Sequence, residues 1–143
     1  MTASAAWVVA AMLGQGAIAL VLLGLLGRVR LPLVAAGKVH VSAIALSRDP
    51  WPDREKRVSN AFDNQFQLPV LFYAAAGLAM FFVPTPFEVL LAWAFVISRI
   101  AHAAIFVITN NVIHRFSAFT IGYAILVLFW IDVAVRLLLS SIR

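Results

Sequence analysis

The side chains best suited to chemistry in this chain are cations and amides set inside apolar sequence. Arg99 stands about twelve residues into a hydrophobic run that opens at Phe87, with Ser98 and His102 close by. At 3.6 residues per turn Arg99, His102, Phe106 and Thr109 share one helix face. Further upstream, Arg57, Asn60, Asp63, Asn64 and Gln67 fall within a helical arc of about 120°. That polar stretch runs directly into Leu68–Val83, which is apolar almost throughout. A charge at membrane depth is costly unless it is paired or hydrated. Two uses of these groups follow. One is a structural clamp in which Arg99 pairs with Asp63, Asn64 or Gln67; the other is a ligand site built from the same residues.

Other chemistries lack their parts. With no cysteine there is no disulfide, thiolate metal site or cysteine nucleophile. His40, His102 and His114 lack the i, i+4 spacing of a chelating pair, so no metal site is expected. No glycine-rich phosphate loop, nucleophile elbow or close carboxylate pair is present, and hydrolysis and nucleotide chemistry are not indicated.

The elements that must position the polar groups are membrane helices. The chain is 64% apolar and 12% charged, whereas a soluble domain is about half apolar and a quarter charged. The expected fold is an all-α integral membrane protein of one domain over 1–143, a bundle of four transmembrane helices at about 5–31, 55–83, 87–108 and 116–139. Each span approaches the ~20 residues that cross a bilayer. No positive charge precedes Trp7, so the first helix reads as a retained span rather than a signal peptide. Arg28, Arg30 and Pro32 are expected to close it, and Pro69 to bend the second helix near Gln65. Asp132 and Arg136 are spaced for an i, i+4 pair. Trp51, Trp93, Trp130 and Tyr73 read as interfacial anchors or core.

The formal net charge is +5, but the basic residues cluster at the ends of apolar spans, which is the pattern of membrane topology and not of nucleic-acid binding. Lys38, Arg48, Arg54 and Lys56 put the long first connection on the cytoplasmic side. Both termini are then non-cytoplasmic, despite Arg136 and Arg143 in the tail.

These residues resemble the MAPEG family, the membrane-associated proteins in eicosanoid and glutathione metabolism. The resemblance runs from Gly27-Arg28-Val29-Arg30-Leu31 to Tyr123. It is carried by Arg57, Asn64, Gln67 and Pro69, by Arg99-Ile100-Ala101-His102, and by Arg115 sixteen residues beyond Arg99. It implies a four-helix membrane protein that assembles as a homotrimer and binds glutathione between subunits near the cytoplasmic side. Arg115 matches the arginine that holds the glutathione sulfur as thiolate. Asn64 and His102 match positions that contact the tripeptide, Arg30 a position near its carboxylates, and Arg57, Gln67 and Arg99 further positions of the site.

The implied chemistry is coherent. A cationic pocket attracts the anionic tripeptide, and a guanidinium beside a thiol favours its charged form. The chain departs from the family pattern in Gln67 for a glutamate, Asn60 and Asp63 for arginine on the same face, Phe106 and Phe119 for aromatic hydroxyls, and Phe116 for a serine. These departures fit a bacterial-type branch whose ligand differs, or one with no catalysis; the expected location is the bacterial inner membrane.

The leading expectation is a membrane-bound glutathione-dependent transferase or peroxidase-like protein, with glutathione as co-substrate and a hydrophobic electrophile drawn from the lipid bilayer. The alternative is a non-catalytic membrane scaffold or accessory subunit of the same fold.

Overall fold

The computed structural model describes residues 1–141 and is all-helical. Arg143, counted above in the charge of the tail, lies outside the described residues. Helix α1 spans Ala3–Ala35, and Thr2 caps its start by accepting a hydrogen bond from the Ala5 N–H. Pro32 does not end α1 as expected. It lies inside the helix, which continues for three more residues. The stop is Gly37, whose φ of +66° lets Gly37 N–H bond the Val34 carbonyl while Lys38 N–H bonds that of Leu33. Proline removes one donor and fixes φ, but glycine is what turns the chain out.

The connection that follows holds one short 3₁₀ turn, Val41–Ile44, and leads into α2, Asp53–Asp63. Pro69 does more than bend the second helix. After α2 a 3₁₀ turn covers Asn64–Phe66, Gln67 adopts φ −103° and ψ −104°, and α3 begins afresh as Leu68–Ala79 with Pro69 in its first turn. Proline fits a helix start, where its missing N–H would have had no partner. A break there separates a polar helix from an apolar one.

Helix α4, Pro86–Ile108, opens with a reciprocal box: Thr85 Oγ1 accepts from Glu88 N–H and Glu88 Oε2 accepts from Thr85 N–H. Helix α5 spans Val112–Ser141. Three of these helices, α1, α4 and α5, are long and apolar enough to cross a membrane, where four spans were expected. The fourth expected span is the pair α2 and α3, of 11 and 12 residues. Each falls short of the ~20 residues a crossing needs.

Helix α4 is central, packing against α5, α1 and α2, while α3 lies against α5 and α1. The larger core cluster joins Val8, Phe72, Ala76, Phe95, Leu126 and Phe129, with Phe72 and Phe95 stacked at 4.8 Å. A smaller cluster of Leu22, Ala61, Ala103 and Phe106 sits toward the α2 end. Trp51 belongs to the buried set, with the Arg30 guanidinium 5.1 Å over its ring.

Candidate functional site

Helix α2 turns different polar residues inward and outward. Its buried side chains are Glu55, Val58, Ser59 and Ala61, followed by Gln65, whereas Asn60 and Gln67 are exposed and Arg57, Asp63 and Asn64 half-buried. The arc thus faces away from the bundle of its own chain. Gln65 instead points inward, accepting from Gln15 Nε2 at 2.9 Å and donating to the Ala61 carbonyl at 3.0 Å. Sequence reading passed over Gln15, although one amide inside an apolar run was a signal that a buried polar partner existed.

The expected clamp between Arg99 and Asp63 does not form. Asp63 accepts from Arg48 Nη1 at 2.6 Å, and its carboxylate raises the Arg48 guanidinium above its ordinary pKa. The first connection folds back over α2 and delivers this arginine, which helix periodicity could not foresee. Arg99 is 1% exposed with no carboxylate partner among the described residues. Its guanidinium lies 5.6 Å from the Phe95 ring and 5.4 Å from that of Phe119, and its Nη2 donates to the Ala118 carbonyl at 3.4 Å. Room for it exists because residue 122 is glycine: a Cβ there would sit 2.8 Å from Arg99 Nη2 and 2.6 Å from Ser98 Oγ.

Three of the expected site residues come together. Asn64, His102 and Arg115 line one cavity of about 260 Å³, walled also by Phe106, Phe116 and Phe119. The Arg115 guanidinium lies 4.2 Å over the Phe106 ring, and its Nη1 donates to Asn110 Oδ1 at 2.7 Å. His102 stands between the two phenylalanine rings, 5.7 Å from Phe106 and 5.9 Å from Phe119, with its buried Nδ1 unpartnered. Asn64 donates to the Asn60 carbonyl at 2.8 Å, which leaves its oxygen free to accept. The result is a column in which two guanidinium groups and one imidazole are interleaved with two phenylalanine rings: Arg115, Phe106, His102, Phe119, Arg99. Ring faces hold guanidinium groups without using up their N–H donors.

The remaining expected residues lie elsewhere. Arg57 lines a neighbouring cavity of about 410 Å³ with Asp53, Lys56, Asn60, Thr109 and Asn110. Arg30 is engaged with buried Glu55, Nε to Oε1 at 2.7 Å, and lines a separate cavity of about 430 Å³ under the first connection. Gln67 is exposed at the break between α2 and α3. Arg99 stands behind Phe119 and not on the cavity wall.

The expected Asp132–Arg136 pair is also replaced. Arg136 Nη1 bonds Glu88 Oε2 at 2.5 Å and its Nη2 bonds the Val83 carbonyl at 3.1 Å. Glu88 is fully buried between α4 and α5, and a buried carboxylate draws the cation across helices in preference to a neighbour on the same helix.

The sequence model of the MAPEG family matches residues 5–135, and the chain belongs to that family. No match was found among curated proteins or among solved structures. Family and apolar helices together make this an integral membrane protein, related in general terms to the glutathione-dependent transferases.

The cavity can be tested against glutathione. Its wall carries the cation of Arg115, the imidazole of His102 and the amide of Asn64, and no carboxylate. Such a set suits an anionic sulfur beside amide groups. At about 260 Å³ the cavity is smaller than the ~300–1,000 Å³ usual for small-molecule pockets and is too small to enclose a whole tripeptide.

Proposed function

We propose that this protein is a membrane-bound glutathione-dependent transferase or peroxidase-like enzyme acting on hydrophobic electrophiles dissolved in the bilayer. The observation that carries the reading is the meeting of Asn64, His102 and Arg115 on one cavity without an opposing carboxylate. In this reading Arg115 holds the glutathione sulfur as thiolate, His102 packs its imidazole against the tripeptide, and Asn64 accepts from an N–H of the tripeptide. The thiol proton leaves to water. The sulfur pair forms a C–S bond with the electrophilic carbon, whose leaving group departs with its bonding pair. A groove of about 410 Å³ between α1 and α4, lined by Ile18, Leu22, Ala103 and Val107 among others, is wholly apolar and suits delivery of such a substrate.

Assembly completes the site in this account. The outward face of α2, with Arg57, Asn60 and Gln67, and the distant Arg30 would be brought to a neighbour's cavity in a homotrimer. Charge at Lys38, Arg48, Arg54 and Lys56 supports a cytoplasmic first connection, both termini on the other side and, for a bacterial-type member, the inner membrane. Purified protein should conjugate glutathione to a generic aromatic electrophile. Activity unchanged in Arg115→Ala would refute the role given to Arg115.

The second reading is a non-catalytic scaffold or accessory subunit. It draws on Arg30 and Arg99, whose guanidinium groups tie helices together, Arg30 to Glu55 and Arg99 to the Ala118 carbonyl. It predicts no glutathione-dependent gain in melting temperature.

A further inference from the structure

From the turn between α4 and α5 we infer that Asn110 is a positioning residue, holding the Arg115 guanidinium at the wall of the cavity; this rests on the reading of Arg115 given above. Asn110 has φ +52°, the sole positive φ at a non-glycine position among the described residues. Its N–H bonds the Ile105 carbonyl at 2.7 Å, the contact that turns the chain out of α4. The side chains on either side serve the backbone of the turn. Thr109 Oγ1 donates to the Ile105 carbonyl at 3.2 Å and accepts from Asn111 N–H at 3.4 Å. Asn111 Oδ1 caps α5, accepting from the N–H groups of Ile113 at 3.0 Å and His114 at 3.1 Å.

Asn110 is different. Its side chain makes no hydrogen bond to the turn, and its Oδ1 accepts from Arg115 Nη1 at 2.7 Å. A left-handed conformation is most easily met by glycine, so the turn alone does not require this amide. What the amide adds is a fixed, neutral acceptor that orients a cation without cancelling its charge. A carboxylate in that place would compete with the thiolate. Together with the Phe106 ring 4.2 Å beneath it, Asn110 leaves Arg115 held on two sides by groups that bear no negative charge. Asn110 also lines the cavity that holds Asp53, Lys56 and Arg57.

The test uses full-length protein in lipid nanodiscs, with glutathione as the probe. The readouts are the ultraviolet thiolate signal of bound glutathione against pH and the melting temperature without ligand. Asn110→Gly, which keeps the left-handed turn, should melt like the wild type and bind glutathione within about threefold of it. It should raise the pH midpoint of the bound thiol by about one unit, a tenfold loss of thiolate at neutral pH. In an Arg115→Ala background the same change should have no further effect, because Asn110 acts through Arg115. An unchanged midpoint in Asn110→Gly, with the signal lost in Arg115→Ala, overturns the positioning role alone. An equal shift in both backgrounds overturns it too. A wild-type midpoint in Arg115→Ala overturns the reading of Arg115 itself, and the positioning role with it.

Discussion

The two ends of helix α4 handle charge in opposite ways. At its start, Glu88 is buried and fully engaged on one oxygen: it accepts from Thr85 N–H at 2.6 Å and from Arg136 at 2.5 Å, and Arg136 reaches on to the Val83 carbonyl. At its far end Arg99, His102 and Arg115 gather around two phenylalanine rings with no carboxylate among their partners. The first arrangement is a lock, because opposite charges neutralise each other across two helices. The second keeps cations uncompensated, which is expensive for folding and useful for holding an anion. The contrast sets a neutralised charge pair between α4 and α5 against cations of the same two helices that have no carboxylate partner among the described residues.

The comparison can be broken most severely at the lock. Glu88→Ala removes the carboxylate that Arg136 bonds and leaves only Asp132 beside it, and should lower unfolding free energy by about 3 kcal/mol in denaturant titrations without weakening glutathione binding. Loss of binding at equal stability would mean that the two ends are not separate. Next in size is Gly122→Ala, whose methyl group meets Arg99 and Ser98 at sub-contact distance. It should destabilise by about 1–3 kcal/mol, and an Arg99→Ala background should relieve much of that. Full additivity in the double-mutant cycle would disprove the close approach. Thr85→Ala removes one cap of α4 and should cost about 1 kcal/mol by the same titration.

Arg99→Leu sharpens the contrast from the other side. With no carboxylate left stranded, it should cause no net loss of stability. A drop above about 3 kcal/mol would favour the scaffold reading, in which this arginine joins helices.

Much of this was legible in the sequence, and the exceptions share a cause. The apolar runs announced the helices, and the family motif singled out Asn64, His102 and Arg115, which do meet. Pairings that depend on non-local geometry were not legible. Asp63 finds Arg48 because a connection without periodic pattern folds back over α2. Arg136 prefers Glu88, 48 positions away, because that carboxylate is buried, whereas i, i+4 spacing knows nothing of burial. Gln15 meets Gln65 across 50 positions for the same reason. The inward face of α2 was not legible either, since the most polar arc is turned from the core while Glu55 and Ser59 are buried. Asn110 drew no attention as one of two adjacent asparagines, and only its backbone conformation distinguishes it.

The central claim is that the uncompensated cations around the Phe106 and Phe119 rings exist to hold an anionic thiol. A thermal titration with glutathione measures it most directly. At 100 times the wild-type dissociation constant a gain of about 2.7 kcal/mol is predicted for the wild type, and a clearly smaller gain for Arg115→Ala at the same concentration. A wild-type protein whose melting temperature does not respond to glutathione, or an Arg115→Ala variant that responds equally, would contradict the account.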